Sequence, residues 1–394
     1  MSTISATQNV EKKRFQAGNV TALSIGHWIF DTYQAFLSPF LPVLLQTFAL
    51  TKLQAGLLSS FNQFPSLIQP VIGYIADRRN LRWIVILAPA ISAVTMSLLG
   101  VMPSYWLLAL LLLVSGFSSA GMHAVGPAIT GEQSGDKIGQ GMSFWMVAGE
   151  LGRAVGPLAV VTAIRFLGVN GTPFLMVFGL GASLLLYFRL RKVPNHNQVQ
   201  SESFDWKPAL KKLAPFIVAV SSIYLSMAFL LTGISTFLPT YLTEQGSTLW
   251  FAGASLTILQ IAGVAGAMIS GTWSDKIGKK PLLIGAALLS PAMLFVFLNT
   301  SGIISIAALL IMGFAMISTQ PVLMAWIQQV YPDQRALANG IYMAITFVVR
   351  SLMVILIGWM GDVLGLRMTF MISAVIALTA LPIVWLIPSV PNQQ

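Results

Sequence analysis

Six ionisable side chains stand inside long apolar stretches of this sequence: His27, Asp31, His123, Glu150, Arg153 and Arg350. His27 and Asp31 are four residues apart, a spacing that puts both on one face of a helix, and Glu150 and Arg153, three apart, can pair. A carboxylate among imidazole and guanidinium groups in a low-dielectric setting is a site for proton chemistry. Burial favours the neutral carboxyl and a nearby cation favours the charged one, so displacing the cation moves a proton. Imidazole exchanges protons near neutral pH and can relay them or bind a ligand. Asp31 is the first candidate for the proton carrier and Glu150 the second, with His27 and His123 beside them. Arg153 and Arg350 are candidate counter-ions or anion ligands. A static reading competes: Glu150–Arg153 and Asp31–Arg350 would be neutralising pairs, and His123 a hydrogen-bonded packing residue.

The elements that hold these groups are expected to be membrane helices. Of 394 residues, 56% are hydrophobic and 9% charged, with mean hydropathy +0.79; an ordinary soluble domain is about a quarter charged. Apolar runs of about 20 residues predict twelve spans, at 19–46, 53–77, 83–102, 105–130, 140–165, 172–191, 214–242, 250–274, 281–299, 302–329, 337–361 and 368–388. A charge at mid-membrane costs ~2.5–3.5 kcal/mol on insertion scales, so the six ionisable groups should face partners or a wet cavity.

With the N-terminus in the cytoplasm, seventeen of the 22 Lys and Arg fall on the cytoplasmic side and three, Lys52, Arg165 and Arg367, on the other. That asymmetry is the positive-inside pattern. The net charge of +10 therefore reports topology, with both termini cytoplasmic, and not a nucleic-acid partner. The first apolar run is too long for a cleaved signal peptide, and it contains His27 and Asp31. Cysteine is absent, which excludes disulfides and thiolate metal sites.

The longest polar interval, 191–212, is expected to be a cytoplasmic linker between an N-terminal bundle, 1–190, and a C-terminal bundle, 213–394, each of six spans. The halves echo one another. Phe40-Leu41-Pro42 recurs as Phe237-Leu238-Pro239 and Ala55-Gly56 as Ala252-Gly253, both at an offset of 197. Gly73 and Asp77 in GYIADRRNLR match Gly271 and Asp275 in GTWSDKIGKK at 198, and Gln140-Gly141 matches Asn339-Gly340 at 199. Such parallel repeats characterise transporters that rock one bundle against the other.

The second of these loops carries Gly271, Asp275, Lys276, Gly278, Lys279 and Lys280. This pattern resembles the signature loop of the major facilitator superfamily. The first copy keeps Gly73, Asp77, Arg78 and Arg82 but has Asn80 at the second glycine, a residue that tolerates left-handed backbone. The resemblance implies an all-α membrane protein of twelve transmembrane helices in two pseudo-symmetric bundles. It also implies a monomer in which the loops latch the cytoplasmic side shut, Asp77 facing the start of span 11 and Asp275 the start of span 5. A carboxylate at a helix N-terminus contributes about 0.3–1 kcal/mol. In span 5, Gly152, Gly156 and Pro157 resemble the motif of drug:proton antiporters, with a helix-packing motif as the competing reading. SIGHWIFDTYQ around Asp31, GFSSAGMHAVGP around His123 and GELGRAVGP together resemble the fosmidomycin-resistance branch of drug exporters.

No phosphate loop precedes Gly278-Lys279, and no clustered metal ligands or nucleophile–base set can be assembled, so an ATP-driven pump, a metal site, a cofactor and an enzyme are not expected. The leading expectation is a secondary transporter of a bacterial-type inner membrane, its partners protons, lipid and a small-molecule substrate, exporting drugs or other amphipathic molecules by proton antiport. Proton-coupled uptake of a small organic anion follows, then lipid or lysolipid translocation, and a non-transporting membrane sensor is the reading from another class. The resemblance implies a central cavity lined by spans 1, 4, 7 and 10, where Tyr224, Gln320 and Gln328 are the candidate polar liners.

Overall fold

The structure, a computed structural model, describes residues 14–76, 78–193, 206–330 and 335–387. Asp77 and residues 194–205 of the expected linker lie outside the described residues. Among the described residues every regular element is a helix. The N-terminal half comprises α1 (Ala17–Gln34), α2 (Leu37–Thr47), α3 (Lys52–Gln63), α4 (Gln69–Ala76), α5 (Arg82–Ser97), α6 (Tyr105–Gln133), α7 (Ile138–Leu167) and α8 (Met176–Leu190). The C-terminal half comprises α9 (Trp206–Glu244), α10 (Leu249–Ile277), α11 (Lys279–Asn299), α12 (Gly302–Ile317), α13 (Thr319–Val330), α14 (Arg335–Leu364), α15 (Leu366–Leu378) and α16 (Ala380–Leu386). The first of these, α9, begins inside the stretch expected as linker.

Proline explains most departures from the expected spans. Its ring displaces the carbonyl four residues earlier and it lacks an N–H, so the helix breaks upstream. Pro321 and Pro382 each stand four residues after the last residue of α12 and α15, and Pro39 stands four after Ala35, where α1 has just ended. Pro65 lies in the 3₁₀ turn Phe64–Ile68 that separates α3 from α4. Among the described residues, ten helical stretches are long and apolar enough to cross a membrane. The stretches expected as the first two spans are not among them, and both are broken. Large apolar side chains such as Ile303, Trp385, Phe166 and Trp106 project outward uncovered, as they can when the surrounding solvent is lipid. The chain is a multi-pass membrane protein.

The packing of the halves carries one register. A Cβ added to Gly56 of α3 would lie 2.6 Å from the Val354 carbonyl of α14, and one on Gly253 of α10 would lie 3.1 Å from the Pro157 carbonyl of α7. Both members of this pair of contacts differ by 197 residues. The same offset relates Gly116, 2.4 Å from the Asn62 carbonyl by that measure, to Gly313, 2.1 Å from the Leu259 carbonyl. Ser38 donates to the Ser235 carbonyl (2.9 Å), again 197 residues apart. Spans that approach this closely cannot slip, because any side chain larger than hydrogen would meet backbone.

The halves are tied together at the end remote from the termini. There the Lys52 and Leu53 amides donate to the Asp362 carboxylate (2.7 and 2.9 Å), and Lys52 pairs with Glu244 (2.8 Å). Trp250 Nε1 donates to Thr162 and the Leu158 amide to Thr257 (both 3.1 Å). Towards the other end, a Cβ on Gly139, Gly271 or Gly340 would meet nothing within 4 Å, and the Asp275 side chain is 74% exposed. Among the described residues, these glycines and Asp275 border open space at the end that carries the termini.

Candidate functional site

Three helices bring five of the six ionisable groups together. On α7, Trp145, Gly149, Gly152 and Gly156 recur at spacings of four and three, forming one face. That face receives α1 at backbone distance. A Cβ on Gly149 would lie 2.4 Å from His27 Cε1 and 2.9 Å from Asp31 Oδ2; on Gly152 or Gly156 it would lie 2.3 Å from the carbonyl of Trp28 or Thr32. Gly152 and Gly156, singled out in sequence as an antiporter-like motif, thus form the seat of α1, and Pro157 touches α10 through its carbonyl.

Asp31, 2% exposed, is the centre of the cluster. Its Oδ2 lies 3.4 Å from His27 Nε2 and 3.9 Å from Arg153 Nε, and its Oδ1 lies 3.5 Å from His123 Nε2. Arg153 also bonds Glu150. His27 stacks on Trp145 (centroids 3.9 Å apart) and its Nδ1 is 2.9 Å from the Trp145 carbonyl. A carbonyl only accepts, so Nδ1 carries a hydrogen and Nε2 is the nitrogen turned toward the carboxylate. Neither His27 Nε2 nor Asp31 Oδ2 has a hydrogen-bond partner. His27 Nε2 and Asp31 Oδ2 therefore face each other at 3.4 Å in a buried place, where a proton held between them would make a hydrogen bond.

The cluster faces the space between the halves. Successive residues turn about 100° around a helix, which places Glu150 and Arg153 between the α1-facing glycines of α7 and its α10-facing edge at Pro157 and Val161. Leu151 and Val155, on the remaining side, are exposed as lipid-facing residues are. His123 is 28% exposed and Arg153 44%, so both bridge the cleft to the buried carboxylate. His27, Asp31 and His123 each offer one ligand atom, all within 4.8 Å of one another. That spacing would suit a cation, but the guanidinium of Arg153 already neutralises the carboxylate and would repel one.

A family profile for the Major Facilitator Superfamily matches residues 23–336 and 279–394. The chain belongs to the Major Facilitator Superfamily. It is 24% identical to the fosmidomycin resistance protein of Escherichia coli (strain K12) over 97% of this chain and 95% of that one. It is also 24% identical to the multi-drug resistance efflux pump PmrA of Streptococcus pneumoniae serotype 4 over 72% and 73%. Among solved structures, an inward-facing, unoccupied bacterial homologue of the human lysosomal transporter Spinster superposes with a TM-score of 0.80, at 16% identity over 95% of this chain and 97% of that one. The chain is a secondary transporter of this superfamily and not an enzyme.

The remaining expected residues of this superfamily member fall elsewhere. Arg350 makes no pair with Asp31, a correction to the static reading. α14 packs on α3 and α9, while α1 lies on α7, so the Asp31 cation is Arg153. Tyr224 is buried, with its ring against Tyr342 (6.1 Å), and Gln320 and Gln328 are half-buried on α13. In the loops, Arg82 donates to the Val193 carbonyl and Lys280 to that of Trp385 (3.4 Å), each tying its loop to the last helix of its own half. Gly278 adopts φ +92°, whereas Asn80 takes no left-handed turn; its side chain instead accepts from the Arg82 amide (3.0 Å). Arg78 lies over the Tyr74 ring (3.6 Å). Gly73 and Gly271 border open space, Lys276 is exposed, and Asp275 pairs with Lys279 (3.7 Å). Trp145, Gly149 and Tyr342 were not singled out in sequence.

Proposed function

We propose that this protein exports small amphipathic molecules in exchange for protons, with Asp31 as the proton carrier. The observation that carries the reading is the buried approach of Asp31 Oδ2 to Nε2 of His27, 3.4 Å apart and flanked by His123 and Arg153. His123, on the cleft side, is the entry relay. Arg153, shared between Glu150 and Asp31, is the switch: drawn toward Glu150 it leaves Asp31 to take the proton, and drawn toward Asp31 it expels it. The names of the two drug-resistance relatives support export of drug-like compounds.

The charge asymmetry supports cytoplasmic termini in a bacterial inner membrane, so the described state is the one open to the cytoplasm. In the opposite state Asp275 would dock at the start of α7 and the Asp77 loop at the start of α14. Asp31→Asn should reduce proton-driven transport in proteoliposomes to the background rate while the protein remains folded and monodisperse. Transport at the wild-type rate in that variant would remove Asp31 from the mechanism. Direction is read separately: expression should lower cellular accumulation of a drug, and raised uptake of a labelled organic anion from an acidic exterior would favour symport instead.

A further inference from the structure

One residue of α7 holds His27 in two ways. The Trp145 carbonyl lies 2.9 Å from His27 Nδ1, and the Trp145 indole lies flat against the imidazole, with centroids 3.9 Å apart and planes at 17°. Both side chains are buried. The Cε1 edge of the imidazole meets the backbone of α7 one turn further on, where a Cβ on Gly149 would lie 2.4 Å from Cε1 and 2.8 Å from Nε2. The indole is itself wedged against a third helix. A Cβ on Gly126 of α6 would lie 2.3 Å from Trp145 Cη2, so the indole rests on the glycine backbone, one helical turn beyond His123. Trp145 thus reaches from the histidine of α1 to the helix that carries the other histidine, and the two imidazoles stand edge to face, 5.3 Å apart.

That enclosure decides which atom faces Asp31. The outer torsion of a histidine side chain is broad and roughly two-fold, and turning the ring over exchanges Nδ1 with Cδ2 and Nε2 with Cε1. A turned ring would give up its bond to the Trp145 carbonyl and present a carbon to the carboxylate. A carbonyl only accepts, so Nδ1 keeps its hydrogen in the neutral and the charged ring alike. Protons are then exchanged at Nε2 alone, 3.4 Å from Asp31 Oδ2. His123 is held differently. It is 28% exposed and meets His27 and Phe30 edge-on, with no stacked ring among the described residues.

We propose that Trp145 is a positioning residue for proton exchange at Asp31. Its carbonyl and its indole fix His27 in the one orientation that offers Nε2 to the carboxylate, and His123 is left as the imidazole that turns toward the cleft. Trp145 acts through His27 and not on the proton itself. This deepens the coupling reading and rests on it: the pair that shares the proton is made of one fixed ring and one carboxylate, with the mobile relay on the cleft side.

The test is solid-state NMR of the full-length protein in lipid, isotope-labelled at histidine, with the His27 signals identified by their loss in His27→Gln. The wild type should show a single His27 species with a hydrogen-bonded Nδ1–H and ring protons moved upfield by the stacked indole. Trp145→Leu should split the His27 signals into two ring orientations. In proteoliposomes it should lower the turnover of proton-driven transport about tenfold or more and leave KM within about twofold. Trp145→Phe, which restores an aromatic face, should recover the single species and most of the turnover. A wild-type His27 without hydrogen on Nδ1, or without the upfield shift, would overturn the proposal whether or not Trp145→Leu folds. An unchanged His27 spectrum or an unchanged turnover in Trp145→Leu would do the same. Asp31→Asn separates this proposal from the coupling reading. If that variant transports at the wild-type rate while Trp145→Leu frees His27, the proton assignment fails and the hold of Trp145 on His27 stands. If Asp31→Asn is inactive while His27 keeps its single species in Trp145→Leu, the coupling reading stands and the positioning role falls.

Discussion

The two halves share a scaffold and differ in where negative charge sits. Around α1, α6 and α7, an arginine, an aromatic stack and two histidines enclose Asp31, with Glu150 holding the arginine from the other side. Around α9, α13 and α14, the arginine and the aromatic pair recur, but Ala228 and Phe347 stand where the carboxylates would be. The first site holds its carboxylate and its cations together, whereas in the second Arg350 has no ion pair among the described residues.

The comparison can be broken most decisively at Asp31, where Asn should remove proton-driven transport in proteoliposomes while the protein remains folded. A smaller effect is expected at the helix seat. Gly152→Ala would drive a methyl to 2.3 Å from the Trp28 carbonyl, costing about 1–3 kcal/mol by overpacking and lowering the melting temperature. At its counterpart, Val349, Ala should cost about 1 kcal/mol or less in that assay. Equal costs would show that the two helix seats are built alike.

The smallest expected effect is at the loops. Gly271→Ala meets open space and should shift stability by no more than about 1 kcal/mol, toward stabilisation if anything, since alanine is the better helix former. A loss of transport with stability kept would locate the need for that glycine in the other, closed state.

Much of the cluster was legible because charge is expensive in lipid: His27, Asp31, His123, Glu150 and Arg153 stood out from their surroundings, and the i, i+4 spacing put His27 beside Asp31. The pairing of Asp31 with Arg153 in preference to Arg350 was not legible, because it depends on which helix α1 lies against. Trp145, Gly149 and Tyr342 escaped notice since aromatic residues and glycine are ordinary in membrane helices. The offset read in sequence drifts from 197 to 199, and at the 199 of Gln140-Gly141 and Asn339-Gly340 it would link Arg153 to Leu352, so the correspondence of Arg153 with Arg350 emerges only from the packing. The broken spans were legible in principle from Pro39, Pro65, Pro321 and Pro382, but an apolar run read by length alone hides them.

The central claim is that Asp31 carries the coupled proton. It is tested most directly in proteoliposomes carrying a lumenal pH dye, with a drug-like amphipathic compound added outside to wild-type and Asp31→Asn protein. The account predicts that the compound drives a lumenal pH change in the wild type and none in Asp31→Asn, which remains folded. A wild-type pH change in Asp31→Asn would contradict it.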